Sequence, residues 1–315
     1  MTIEPTSSEQ PVPAFPRRHD RQFFYKYTNV QVAQLILANC SIRWSSPLRF
    51  NDAFDVARVV EFGYTADELM TAVRHGVADI IAGGADDLPF AYAPVKELLA
   101  AIRGWVAEGR LTFARSAEVM RNDTGFSPAL QFSYIQEQWD LFLPRFRILC
   151  LTTLPDSTQM WAYYADDSRG VAFEFQALDS FANPLLAMRP VTYQDEPPTL
   201  TTKDEFARHM LGLIQLDLGE LYAAYEYTKA RNWQHEMEWR LVEIAPETDT
   251  QIYSDVGFDP RLLRRVIFGT NCVAADRSAL LEQLAAPHWA HVGVATVARD
   301  YARRRLEIVA MDRSA

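Results

Sequence analysis

The sequence predicts an α+β fold, with a mixed, mainly antiparallel sheet core and a helical insertion. Short apolar runs rich in β-branched and aromatic residues occur towards both ends of the chain. Between about residues 64 and 145 the apolar residues instead recur at helical spacing. Strands and helices do not alternate regularly and no internal repeat is present, so a doubly wound parallel sheet is not expected.

Length and composition indicate an ordinary globular protein. The 315 residues are 49% hydrophobic and 12% aromatic, which is ample material for a large core. Lys and Arg number 31 against 41 Asp and Glu, and the net charge of -10 opposes general binding to nucleic acid or anionic lipid. The three cysteines lie in or beside apolar runs, so we expect buried thiols. No secretion signal or bilayer-length apolar run is present, so we expect a cytoplasmic protein without a membrane partner.

We expect residues 1–20, rich in Pro, Ser and Glu, to form a flexible N-terminal segment, and residues 21–315 to form a single domain with the insertion. Strands are predicted where β-branched and aromatic residues cluster between turn formers. In chain order these segments are 23–27, 41–44, 148–153, 171–175, 191–193, 233–244, 265–269, 291–297 and 305–311.

Helices are predicted where apolar residues repeat every three to four positions behind a capping residue. Thr28 or Asn29 can cap the first of them, and Thr65-Ala-Asp-Glu68 is a capping box. Gly83-Gly84 ends the second helix, and Ser127-Pro128 introduces the fourth. In chain order the helical segments are 30–37, 65–82, 94–108, 128–143, 159–165, 204–229 and 276–284.

The densest chemistry lies in Trp233–Arg240, which holds two carboxylates, a guanidinium and aromatic rings in eight positions. Read as a strand, it separates its charged side chains from its apolar ones, with Glu236, Glu238 and Arg240 on one face and Met237, Trp239 and Leu241 on the other. The two carboxylates can then converge on one substrate, while Arg240 orients one of them. An exposed charged sheet face is an equal alternative. In this strand His235 points away from the carboxylates, which makes it a poor catalytic base.

Two other segments carry groups that can bind a ligand. The helix at residues 159–165 presents Trp161 and Tyr164, which could stack on a flat ligand or, more commonly, pack as core. The loop at residues 45–55 contains Asn51, whose amide could bind a polar ligand or make a turn.

Lysines near two of the strands could contact phosphate. Lys26 lies within the first strand and Lys229 just before the charged segment, although an ordinary surface lysine is the default interpretation of each. No familiar short catalytic or metal-binding motif is present, and we expect no metal.

Taken in order, several blocks resemble the bacterial family of unknown function DUF2971. They span most of residues 23–245 and comprise Tyr25–Tyr27, Trp44–Asp55, Cys150–Thr153, Met160–Tyr164, Gly170–Phe175, Val191–Tyr193, and Lys229 with Trp233–Arg240. The order of the blocks is also similar to that of ADP-ribosyltransferases, which have a polar residue on the first strand, a Ser-rich segment, an aromatic helix and a glutamate on a late strand.

The second resemblance implies an ADP-ribosyltransferase-like fold and an NAD-dependent ADP-ribosyltransferase or NAD-cleaving enzyme of bacterial conflict or phage defence. NAD would be the substrate, and a macromolecule could be the acceptor. Glu238 would stabilise positive charge on the ribose, and Glu236 would orient the acceptor or take its proton. The residues implied to bind substrate are Tyr25, Lys26, Tyr27, Arg43, Ser45, Ser46, Asn51, Trp161, Tyr164 and Arg240. A noncatalytic module that senses a nucleotide or binds another protein is the open alternative.

Overall fold

The structure is a computed structural model, which describes residues 16–56, 59–83, 93–120 and 128–313. The chain forms two compact units, one made of residues 1–51, 144–193 and 229–315, the other of residues 52–143 and 194–228. The segment expected to be flexible falls mostly outside the described residues, as do Gly84 and Ser127, which were expected to end and begin helices. Within the described part, Arg17 binds Asp179, with its Nε 2.6 Å from the carboxylate.

The first unit is built on a large sheet. The strands of the chain are β1 (Phe23–Thr28), β2 (Ser41–Ser45), β3 (Phe146–Thr152), β4 (Val171–Gln176), β5 (Arg189–Pro190), β6 (Thr192–Gln194), β7 (Thr228–Ala230), β8 (Glu238–Ile244), β9 (Tyr253–Gly257), β10 (Leu263–Phe268), β11 (Gly293–Asp300) and β12 (Arg305–Met311). The order along the sheet is β12-β11-β10-β4-β1-β3-β2-β9, with β8 pairing β3 and β5. Every pair in it is antiparallel except β10 with β11. This mixed, mostly antiparallel sheet confirms the predicted α+β class.

The sheet forks at β3. All seven residues of β3 pair with β8 along one edge, so β1 and β2 share the other edge. There β1 pairs at Thr152 and β2 pairs at Ile148. Between these two points the ammonium of Lys26 donates to the carbonyl of Cys150 at 3.1 Å. Because strand pairing is interrupted at the fork, a side chain satisfies this carbonyl in place of a backbone amide.

The two faces of the sheet have different chemistry. On one face, Phe24, Phe173 and Leu151 pack with helices α1 (Val30–Asn39) and α9 (Ala274–Leu284) in the main apolar core. On the opposite face, which we call the polar face, a smaller core contains residues of β1, β4, β10 and β11 together with α6 (Thr158–Tyr164). The carboxylates Glu174 and Glu238 project from the polar face, whereas Lys26 projects from the other face.

The second unit is helical. Its helices are α2 (Ala66–Gly83), α3 (Ala93–Ala107), α4 (Phe113–Met120), α5 (Pro128–Phe142), α7 (Lys203–Met210) and α8 (Leu218–Glu226). The single helix expected over residues 204–229 is wrong: two helices form, and Gly212 between them has a φ of 75°, which interrupts helical geometry. In the part of the chain that the structure describes, no helix has both the length and the apolar character needed to cross a membrane.

Candidate active site

The charged segment begins as a helix and continues as a strand. Residues Arg231–Glu236 form a 3-10 helix, and β8 begins at Glu238. Between them Met237 has a φ of 44°, in the left-handed region, which redirects the chain into the strand. The strand expected from residue 233 is therefore wrong over its first half. Met237, which alternation placed in the core, is 44% exposed, whereas Glu236 is 3% exposed.

Four charged side chains form one buried network. The ammonium of Lys229 lies 2.5 Å from Glu236 Oε2 and 2.9 Å from Glu238 Oε2. Arg240 donates to Glu238 through two atoms, from Nε to Oε1 at 2.8 Å and from Nη2 to Oε2 at 3.1 Å. None of the four residues is more than 6% exposed. Two carboxylates and two cations balance in formal charge, as buried charges require.

The two carboxylates differ in how many of their hydrogen-bonding positions are filled. An ionised carboxylate has about four lone-pair positions. Within the described ranges, Glu238 receives bonds from the shared lysine, from two atoms of Arg240 and from the Cys150 thiol. Glu236 receives bonds from the same lysine and from the Tyr164 hydroxyl. Glu238 is therefore saturated, whereas Glu236 has room for about two further donors.

Glu238 carries a fixed negative charge. Burial alone would raise the pKa of its carboxyl, but the charges of Arg240 and Lys229 outweigh burial and hold that pKa well below its usual value. Burial and the Glu238 charge raise the pKa of the Cys150 thiol, which therefore stays protonated and can donate. The backbone N–H of Glu238 donates to the Tyr193 hydroxyl at 2.8 Å, which fixes the start of the strand.

Tyr164 connects this network to the surface. Its hydroxyl donates to Glu236 Oε1 at 2.5 Å and accepts a hydrogen bond from Asn51 Nδ2 at 3.3 Å. Burial and the bond to Glu236 raise the pKa of Tyr164, so the phenol remains a donor at neutral pH. Tyr164 is partly buried and Asn51 is exposed. A ligand hydroxyl arriving from this side can replace the phenol and donate to Glu236 in its place.

Replacing Tyr164 with Phe is expected to lower the free energy of unfolding by about 1.5–3 kcal/mol, because a hydrogen bond to a charged group is lost. Urea denaturation measures the change. Tyr163→Phe is the matched control: its side chain is 65% exposed, and we expect a change within about 0.5 kcal/mol. Equal stability of the two variants would contradict the bond between Tyr164 and Glu236.

Aromatic rings lie beside the part of the network formed by Lys229 and Glu236. The ring of His235 is 6.2 Å from that of Tyr163 and 6.0 Å from that of Trp233, measured between centroids. The ammonium of Lys229 lies 5.0 Å from the centroid of Trp233. Rings at these separations offer flat surfaces next to a cation and a carboxylate.

A third buried carboxylate lies on the polar face. Glu174, 2% exposed, accepts from the Tyr25 hydroxyl at 3.0 Å and from Arg265 Nη2 at 2.8 Å. The strand register places Arg265, Glu174, Tyr25, Thr152 and Glu238 opposite one another on successive strands. Residues directly opposed in antiparallel pairs project to the same side. A polar row therefore crosses the sheet from Arg265 to Glu238.

Some residues expected to bind substrate lie elsewhere. Trp161 is 1% exposed, packs edge-on against Tyr27 at 4.9 Å and donates to the carbonyl of Pro155, so it is a core residue. The Tyr27 hydroxyl donates to the carbonyl of Leu154 at 2.7 Å. Lys26 is at the fork of the sheet, and alternation directs it to the opposite face from Tyr27. The structure does not bring these three side chains to the carboxylates.

The remaining expected residues lie towards the β2–β9 edge. Arg43 forms a two-point bond with Asp255, at 2.8 and 2.9 Å, and its guanidinium lies 4.0 Å from the ring centroid of Tyr253. Ser45 pairs with Tyr253 across the strands. The hydroxyl of Ser46 caps the short 3-10 helix at Pro47–Arg49. By contrast, Tyr164 contacts Glu236 and Arg240 contacts Glu238, while Asn51 reaches the Tyr164 hydroxyl.

Sequence reasoning missed two residues of the site and gave a third, Lys229, a different role as a possible phosphate contact. Lys229 joins both carboxylates, Cys150 donates to one of them, and Glu174 forms the second charged centre. A signal existed for Glu174, because a carboxylate in the middle of an apolar strand is either paired or functional. For the role of Lys229 in the network, the signal was a cation close in sequence to two acids. Cys150 gave no signal, because a cysteine in an apolar run is ordinarily core.

A family model described as "Protein of unknown function (DUF2971)" matches residues 160–241. The matched stretch contains Tyr164, Lys229, Glu236, Glu238 and Arg240, so the part of the chain that resembles this family carries the whole carboxylate network. No curated protein and no solved structure matches the chain. In the ranges that the structure describes, no three His, Cys, Asp or Glu side chains form a group that could hold a metal ion.

Proposed function

We propose that the protein cleaves the bond between nicotinamide and ribose in NAD and transfers ADP-ribose to an acceptor. One observation carries the proposal: of the two carboxylates in the network, Glu238 has its hydrogen-bonding positions filled by Arg240, Lys229 and Cys150, while Glu236 keeps free positions beside the partly buried Tyr164. A carboxylate with this placement suits a reaction in which positive charge develops on a sugar. The resemblance to ADP-ribosyltransferases suggests bacterial conflict or phage defence as the setting.

The proposed reaction replaces one bond to the ribose carbon with another. The bond between ribose C1′ and the pyridinium nitrogen breaks, its electron pair goes to the nitrogen, and nicotinamide leaves as a neutral molecule. Positive charge then develops on the ribose, where the Glu236 carboxylate stabilises it while accepting a ribose hydroxyl hydrogen bond. The acceptor, water or a nucleophile of a macromolecule, attacks C1′, and its proton passes to Glu236.

The roles of the two glutamates differ from the sequence-based expectation, which assigned the ribose to Glu238. That carboxylate has no lone-pair position left for a ribose hydroxyl, since Arg240, Lys229 and Cys150 fill them. We propose that Glu238 is a positioning residue that holds Lys229. The lysine in turn fixes Glu236 Oε2 at 2.5 Å. Preorganisation of this kind is what a transition-state stabiliser needs.

Purified protein incubated with NAD is expected to release nicotinamide, together with free ADP-ribose or an ADP-ribosylated macromolecule. Liquid chromatography with mass spectrometry identifies these products. Release of nicotinamide mononucleotide and AMP would overturn the proposal, because it would mean that the pyrophosphate is cleaved.

A noncatalytic nucleotide sensor is the second candidate. It is favoured by the fact that Glu236 is 3% exposed and the Tyr164 hydroxyl already occupies one of its oxygens. Such a closed site could respond to a ligand without turnover. Saturable NAD binding by calorimetry, with no product even in the presence of cell extract as a source of acceptors, would favour the sensor over the enzyme. Absence of NAD binding would overturn both.

A further inference from the structure

The imidazole of His235 has one buried nitrogen without a partner. Its Nδ1 lies 3.1 Å from the carbonyl oxygen of Asn232. Because a carbonyl can only accept, Nδ1 carries the proton, and in the neutral ring Nε2 therefore presents a lone pair. Nε2 is shielded from solvent and has no hydrogen-bond partner among the residues that the structure describes. Leaving a buried polar atom unpaired is costly, so this nitrogen needs an N–H or O–H donor, which a bound molecule can supply.

The surroundings of this nitrogen favour a flat molecule. The ring of Trp233 is tilted by 30° from that of His235, and the ring of Tyr163 is inclined by 64°. Tyr163 is 65% exposed, so few contacts hold its side chain in place and a ligand can displace it. Aromatic faces also attract cations, which suits a ring that carries positive charge.

The aromatic rings of Trp233 and His235 lie next to the carboxylate network along the chain. His235 directly precedes Glu236, and Lys229 contacts both the Trp233 ring and the Glu236 carboxylate. In NAD the pyridinium ring is one bond away from the ribose carbon at which the reaction occurs. A subsite for that ring must therefore adjoin the carboxylate that meets the ribose. Trp233 is linked to that carboxylate through Lys229, and the rings of His235 and Tyr163 continue from Trp233.

We propose that Tyr163, Trp233 and His235 form a subsite for a planar carboxamide, whose amide N–H donates to Nε2 of His235. The inference rests on the proposed function and specifies how its substrate is recognised. A carboxamide has the donor that Nε2 needs, whereas a carboxylate of the same shape has none and directs a negative oxygen at the lone pair. The subsite therefore distinguishes nicotinamide from nicotinic acid, with Trp233 and Tyr163 contributing stacking to both.

Calorimetric titration with nicotinamide and with nicotinic acid at neutral pH tests the subsite. Wild-type protein is expected to bind nicotinamide at least about 10-fold more tightly than nicotinic acid, because only nicotinamide donates a hydrogen bond to Nε2. His235→Phe keeps a flat ring but removes the acceptor, so it should lose that preference while its affinity for nicotinic acid stays within about 3-fold. His288→Phe changes an exposed histidine on a different 3-10 helix and should behave as wild type.

Circular dichroism and a melting curve show whether each variant is folded, and Trp233→Phe provides a second variant that should weaken both ligands together. Equal affinity of the wild-type protein for the two ligands, or no binding of either, overturns the subsite. So does an unchanged preference in folded His235→Phe. If NAD is cleaved but the preference is absent, the subsite alone fails. If the preference is present but NAD is not cleaved, the proposed reaction fails and the subsite stands.

Discussion

Replacing Glu236 with Gln is expected to lower kcat for the proposed NAD cleavage by about 10²–10³-fold, the size of effect seen when one electrostatic contact to a transition state is removed. The fold should survive, because the amide oxygen still accepts from Tyr164 and Lys229 keeps its bond to Glu238. The affinity for NAD should change little, since the lost charge acts mainly when the ribose becomes positive. Steady-state kinetics together with calorimetry separates kcat from binding.

Glu243→Gln is the matched control, because this exposed glutamate lies on the same strand, and its kcat should equal that of wild type. Glu238→Gln should differ from Glu236→Gln and from Glu243→Gln because it lowers the stability of the protein. It removes the carboxylate that pairs with Arg240. A folded Glu238→Gln variant without activity, beside a fully active Glu236→Gln variant, would reverse the roles assigned to the two residues.

Replacing Arg240 with Met is expected to lower the free energy of unfolding by about 3–5 kcal/mol, because the buried Glu238 charge loses its two-point partner. Arg240 is fully buried, so water cannot take the place of the guanidinium. Guanidinium chloride denaturation measures the loss. The control is Arg261→Met, which breaks the ion pair of an exposed arginine with Asp259 and should cost at most about 1 kcal/mol.

The stability lost in Arg240→Met should depend on pH. Folding lowers the pKa of Glu238, so the carboxylate contributes stability above its unfolded pKa of about 4.3, and that contribution disappears as the pH falls towards the folded value. The deficit of Arg240→Met should therefore be largest at neutral pH and shrink below about pH 4. A deficit that is the same at pH 7 and pH 3 would contradict the charge interaction as its cause.

Alternation along a strand could be predicted from the sequence, and it accounts for part of the site. Glu238 and Arg240 share the polar face, while Trp239 packs on Phe24 at 5.4 Å on the other. The turn of 3-10 helix before the strand could not be predicted in this way. It depends on the left-handed backbone of Met237, a residue type that gives no local signal for that conformation.

Long-range pairing explains the other differences. Trp161 and Tyr164 lie three positions apart on one short helix, yet one is in the core and the other reaches Glu236. Helical periodicity gives the face of a residue but does not reveal which strand lies beneath it. The fork at β3 is likewise invisible in the sequence, because it depends on β1 and β2 approaching one edge at different residues. The role of Lys26 follows from that fork.

We propose that Glu236 meets the ribose that carries nicotinamide. The most direct test is a crystal structure of Glu236→Gln bound to NAD, since this variant should hold the substrate without cleaving it. The expected result is a hydroxyl of the nicotinamide ribose within about 2.6–3.2 Å of the side chain at position 236. A ribose that contacts Glu238 instead, or NAD bound away from both carboxylates, would contradict the claim.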